Sequence, residues 1–201
     1  MHEMASRTLY ADRQNPEHAR DMSHRARWQA MSQRSEPRYG ARPLASSVLI
    51  EGAMKATRLH HDGGQITFAL IFDKGDEVVG TLMAFARENR LSAAHFTAIG
   101  AFSEVTLGYF DRARKDYQRV EIGEQVEVLS LLGDVAQGDA GPVIHAHAVV
   151  GKADATAWGG HLVAARVWPT LEVVLVETPR HLRRRMDEES GLALIDIDAS
   201  R

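Results

Sequence analysis

The chain has 201 residues, 44% apolar and 25% charged, with 24 basic and 27 acidic side chains for a net charge of −3. That length supports one substantial core with an appendage. The absence of cysteine excludes disulfides, thiolate metal sites and cysteine nucleophiles, so a metal site must use His, Asp or Glu.

The charge is unevenly divided. Residues 1–43 hold eight arginines and five acids, a net of +3, which leaves −6 for the remainder. An acidic main domain does not suit duplex DNA, which needs clustered Lys and Arg against its phosphates. The arm offers a weak basic signal for DNA or another anion. No apolar segment of signal-peptide type opens the chain, and no apolar run approaches the ~18 residues that span a bilayer. The expectation is a cytoplasmic, soluble protein.

In chain order, residues 1–43 read as a polar, arginine-rich arm punctuated by Pro16, Pro37 and Pro43. Residues 17–34 suit either a helix capped by Asn15 or a flexible segment. The main domain is expected from residue 44 to 201. Residues 54–60 and 65–72 read as strands joined by an Asp62-Gly63-Gly64 hairpin turn. Helical spacing of Val78, Val79, Leu82, Phe85 and Ala86 predicts a helix over about 76–89, with Asp76 as its N-cap.

Beyond it, period-two patterning predicts strands at 93–99, 104–110, 117–122 and 125–132, with a bend at 100–103. A Gly-rich loop at 136–141 leads into Gly141–Val150. Further strands are expected at 163–168, 171–177 and 192–197. Many short strands and one clear helix give an α+β class, a compact antiparallel sheet domain with that helix packed on it.

Within Gly141–Val150, alternation places His145 and His147 on one face, about 7 Å apart along the strand. Gly159-Gly160 reads as a turn that folds the chain back and brings His161 alongside. Three neutral imidazoles with an open fourth position suit Zn²⁺ or a similar divalent ion. Two histidines on an exposed strand face with a third in a loop is the competing reading. A cupin also uses His-x-His, but the glutamate it wants after the second histidine is replaced here by Ala148-Val149-Val150. His95 is expected in the core, His60-His61 at the surface, and Arg180 to Arg185 in a solvated helical turn.

The residues LSAAHFTAIGAFSEVTLGYFD (91–111), EVLSLLG (127–133), His145-Ala146-His147, Gly159-Gly160-His161-Leu162 and Leu171-Glu172-Val173 occur together in this order. Over about residues 54–178 the chain thereby resembles the PPC domain (DUF296), found in prokaryotes and in plant AT-hook nuclear-localised proteins. The resemblance implies an antiparallel sheet with one helix, generally a homotrimer, and a divalent metal on the family's histidines in some members. His145, His147 and His161 match those positions. Glu127 and Glu172 occupy motif positions and become candidates for carboxylates that orient the imidazoles; solvent-face side chains are the alternative.

Prokaryotic members are often described as DNA-binding, with a biochemical role largely unsettled. The plant AT-hook is missing: Arg38-Tyr39-Gly40-Ala41-Arg42-Pro43 lacks arginines directly flanking its glycine, so the minor-groove insertion is not carried over. Two functions are therefore expected to compete. One is a three-histidine zinc protein that senses a small-molecule ligand or performs a metal-dependent reaction. The other is a DNA-associated regulator whose basic arms sit on a trimeric scaffold. Whether the chain is an enzyme stays open.

Overall fold

The computed structural model describes residues 54–200. The arm, its candidate helix at 17–34 and the boundary at residue 44 lie outside the described residues.

Among the described residues nine strands and one helix follow one another: β1 Lys55–Asp62, β2 Gln65–Phe72, α1 Val78–Glu88, β3 Ala93–Asp111, β4 Asp116–Ile122, β5 Val126–Gly138, β6 Gly141–Gly151, β7 Ala157–Glu177, β8 Arg184–Met186 and β9 Ala193–Ile195. The first seven strands form one antiparallel sheet in the order β1-β2-β7-β6-β5-β3-β4, with a further pairing of β7 to β3. Strands β3, β5, β6 and β7 thus close on themselves, β2 and β1 extend from β7, and β4 extends from β3. The short β8–β9 hairpin forms a second sheet. The α+β class expected from the patterning is what the structure has. Among the described residues no helix is long and apolar enough to cross a membrane.

Alternation decides which side chains enter the ring. On β3, Ala94, Phe96 and Ala98 point inward; on β6, Ala146, Ala148 and Val150 do so. Their odd-numbered neighbours face outward, so His145 and His147 are on the outer face by the same rule that buries Ala146. His95 is exposed for this reason, which corrects its expected place in the core. Helix α1 lays Val78, Leu82, Phe85 and Ala86 against the sheet, with Phe85 edge-on to Phe68 at 5.2 Å.

Several expected boundaries shift. The two strands expected on either side of residues 100–103 are one strand, β3, which passes through register shifts against β5 and β7. The strands at 163–168 and 171–177 likewise belong to β7. The helix starts two residues later than expected and its N-cap is Glu77, whose carboxylate accepts from Val79 N at 3.1 Å and Gly80 N at 2.6 Å.

Asp76 is buried and turned back toward the chain start. There it accepts from Met54 N at 3.0 Å and Asp73 N at 2.9 Å. Removing a carboxylate that satisfies buried donors costs more than removing a half-exposed cap. Asp76→Ala is therefore expected to lose about 2–3 kcal/mol, against about 1 kcal/mol for Glu77→Ala. Urea midpoints of the two variants check the order; an equal or reversed loss would contradict it.

Candidate metal centre

The site is assembled by two antiparallel registers. The β5–β6 hairpin turns at Asp139-Ala140 between Gly138 and Gly141, which sets Asp134 opposite His145 and Leu132 opposite His147. The β6–β7 connection turns at residues 152–156, which sets His147 directly opposite His161. Gly159 and Gly160 are not the expected turn; they lie within β7, paired to Val149 and Ala148. The reversal is made instead by Lys152–Thr156, where Lys152 N donates to Thr156 O at 2.9 Å and Asp154 Oδ1 accepts from Thr156 N at 2.9 Å. Asp154 performs there the side-chain-to-backbone bonding that turns favour.

His145, His147 and His161 converge on the outer face. One ring nitrogen from each lies within 4.8 Å of the others. Their ring centroids are 5.0 Å (145–147), 5.3 Å (145–161) and 5.5 Å (147–161) apart. Tyr117 stacks on the far side of His161 at 4.7 Å. It reaches that position by crossing Gly108, the β3 partner of His161, where a Cβ would come within 2.9 Å of the tyrosine ring.

The environment favours the neutral form of His145 and His161, the form a metal needs. Burial, then the neighbouring His145 and His147, pushes the pKa of His161 down to about 4. His145 is also lowered, by burial first and then by the Arg184 charge, against a smaller opposing pull from Asp134. His161 Nδ1 is buried and has no hydrogen-bond partner. An orphaned buried nitrogen is costly unless something else satisfies it, and an ion would do so.

The carboxylate beside the cluster is Asp134. Its Oδ2 lies 3.7 Å from His145 Nδ1, and the buried Arg184 holds both its oxygens, at 2.7 and 2.9 Å. The two glutamates expected in this role are elsewhere. Glu127 is exposed and pairs with Gly151, five residues along β5 from the position opposite His147, about 16 Å at the usual strand rise. Glu172 is exposed, eleven residues along β7 from His161, between Ile71 and Ile99. The basic cluster is likewise corrected: Arg184 begins strand β8 and is buried, not part of a solvated helical turn.

Similarity to known proteins agrees with this architecture. A metal-containing protein from Archaeoglobus fulgidus is 37% identical over 65% of this chain and 92% of its own, with a TM-score of 0.61. A plant- and prokaryote-conserved (PPC) protein from Pyrococcus horikoshii is 26% identical over 74% of this chain and 97% of its own, with a TM-score of 0.62. A protein from Bacteroides thetaiotaomicron described as a "putative DNA binding protein" is 26% identical over 71% and 98% of the two chains, with a TM-score of 0.65. Among curated proteins none matches this sequence. The model of the Plants and Prokaryotes Conserved domain matches residues 60–179, which contain every strand of the main sheet except the first five residues of β1. With that match over more than half its length, the chain belongs to the Plants and Prokaryotes Conserved (PCC) domain family.

Proposed function

We propose that this protein binds one divalent ion per chain, best suited to Zn²⁺, through His145, His147 and His161. The reading rests on one observation above others: three imidazole nitrogens within 4.8 Å of one another, on strands whose registers fix them there. An all-nitrogen donor set with no cysteine favours zinc over the oxygen-seeking Mg²⁺ and Ca²⁺. The metal-containing description of the Archaeoglobus relative supports it. A three-ligand site leaves one position for water or a small ligand, and zinc lowers the pKa of such a water toward 7. This chain's own part is to hold the three donors close, with His145 and His161 kept neutral, and to leave the outer side open.

Trimerisation belongs to the same proposal. Ile99, Leu129, Leu132, Val149, Trp158 and Val174 are all more than 40% exposed. That many outward apolar side chains suit association with further subunits. Elemental analysis of tag-free protein, combined with mass in solution, tests both parts. The expected result is one zinc per 22.2 kDa chain and a particle of three chains. A monomer would remove the trimer, and protein that neither carries nor takes up zinc would remove the site.

The description of the Bacteroides relative favours a second reading, DNA association through the basic arm of residues 1–43. Three arms on one particle would raise avidity above that of a single arm. Full-length protein should then retard duplex DNA at ~50 mM salt, where the phosphate contribution is large. Protein lacking residues 1–43 should not. Equal retardation by both, or by neither, would contradict this reading.

A further inference from the structure

The chain beyond residue 179, past the matched domain, returns to the metal centre. Thr178 N donates to Ala93 O at 2.8 Å, Leu182 N to Ser92 O at 3.1 Å and Gln137 N to Leu182 O at 2.7 Å. These bonds lead the segment along the starts of β3 and the end of β5. Arg184 is thereby delivered beneath the site as the first residue of β8, its side chain 6% exposed. Its Nη2 donates to both oxygens of Asp134, and its Nη1 donates to Ala193 O of β9 at 2.8 Å. Nε is buried without a partner.

A buried charge network of this kind is a weak source of stability, because desolvation offsets the attraction. Its geometry nevertheless has a clear consequence. The carboxylate is fixed from below by the guanidinium and presents Oδ2 to His145 Nδ1 at 3.7 Å. A short closure of that gap makes Asp134 the acceptor for Nδ1–H. The ring is then held in the tautomer whose Nε2 lone pair is free. Carboxylates that accept from a ligating histidine orient the ring and raise its basicity.

We propose that Asp134 is the positioning carboxylate of the three-histidine centre and that Arg184, carried by the C-terminal hairpin, holds it in place. This rests on the metal reading above, because it assigns roles toward an ion bound by His145. Asp134 touches the imidazole and not the ion. The hairpin at residues 184–195 is accordingly a working part of the centre.

The test measures Zn²⁺ affinity by competition with a chromophoric chelator, and the visible spectrum of Co²⁺-loaded protein, on full-length chains. Variants are Asp134→Asn, Asp134→Ala, Arg184→Gln and the Asp134→Asn/Arg184→Gln pair. Loss of an orienting carboxylate typically weakens metal binding about 10–100-fold, and that is expected for both Asp134 variants. Arg184→Gln should weaken zinc several-fold, and the pair should bind no worse than Asp134→Asn alone. Such non-additivity is the sign of one residue acting through another. The Co²⁺ bands should shift in Asp134→Asn, which a purely structural role would not produce. Asp134→Asn keeps the size of the side chain and decides the matter if Asp134→Ala fails to fold.

Zinc affinity within twofold of wild type in the Asp134 variants, at one ion per chain, would overturn the positioning role and leave the metal reading intact. Complete loss of zinc in Asp134→Asn would also overturn it, because Asp134 would then be a ligand itself. Wild-type protein that binds no zinc overturns both.

Discussion

His147→Ala should strip the protein of zinc. His147 is the central imidazole of the three: it shares strand β6 with His145 and lies directly across the ladder from His161. Apparent binding energies of four-ligand zinc sites are about 10–16 kcal/mol, or about 3 kcal/mol for each ligand if shared evenly. Losing one ligand therefore weakens zinc more than about a hundredfold. The fold should be indifferent, since His147 is exposed and contributes nothing to the core. Stoichiometry after dialysis against a weak chelator checks the first claim and a urea midpoint the second. Unchanged zinc content in a normally folded variant would sink the ligand assignment.

The second large effect is in proton release. An imidazole must be neutral to ligate, so an ordinary one with a pKa of 6.5 sheds about 0.9 of a proton on binding metal at pH 5.5. Three such groups would release nearly three protons per ion at that pH. His161, lowered to about 4, is already neutral and releases almost none. His145, lowered to a lesser degree, releases less than an ordinary imidazole. Calorimetry in buffers of different ionisation enthalpy should give fewer than two protons per zinc at pH 5.5; a value near three would contradict the buried, crowded site.

The same shift predicts how the metal-free protein responds to acid. Between about pH 6.5 and about 4, the unfolded chain binds a proton at residue 161 that the folded chain does not. Stability then rises with pH across that window. It is undiminished above about 6.5, falls as the pH drops toward 4, and changes no further through this group below that. A bound ion reinforces the sense of the effect, because protons and metal compete for the same nitrogens.

How much of this was legible in the sequence depends on the length scale of each signal. The helix, the first hairpin and the shared face of His145 and His147 follow from patterns of two to four residues, and all appear in the structure. Strand ends are decided by registers that span the sheet. Gly159-Gly160 looked like the turn because glycine usually marks one, yet the reversal falls at Lys152–Thr156, where Asp154 was the quieter signal. Asp134 was within reach of a sequence argument. Reading Gly138-Asp139-Ala140-Gly141 as a two-residue hairpin turn pairs residue 134 with residue 145.

Arg184 was not within reach. Its burial depends on a partner 50 residues away and on a return path built from backbone hydrogen bonds. A run of arginines answered by acids gives no local hint of that path. Glu127 and Glu172 failed for a related reason: motif membership places a residue on a strand but not near a given point along it.

The most direct measurement is X-ray absorption at the zinc edge of tag-free, full-length protein. Three nitrogen neighbours at about 2.0–2.1 Å, with one further light-atom neighbour, are expected for His145, His147 and His161 around an ion with one open position. A first shell made mainly of oxygen, or the same shell persisting in His147→Ala, would contradict the three-histidine centre.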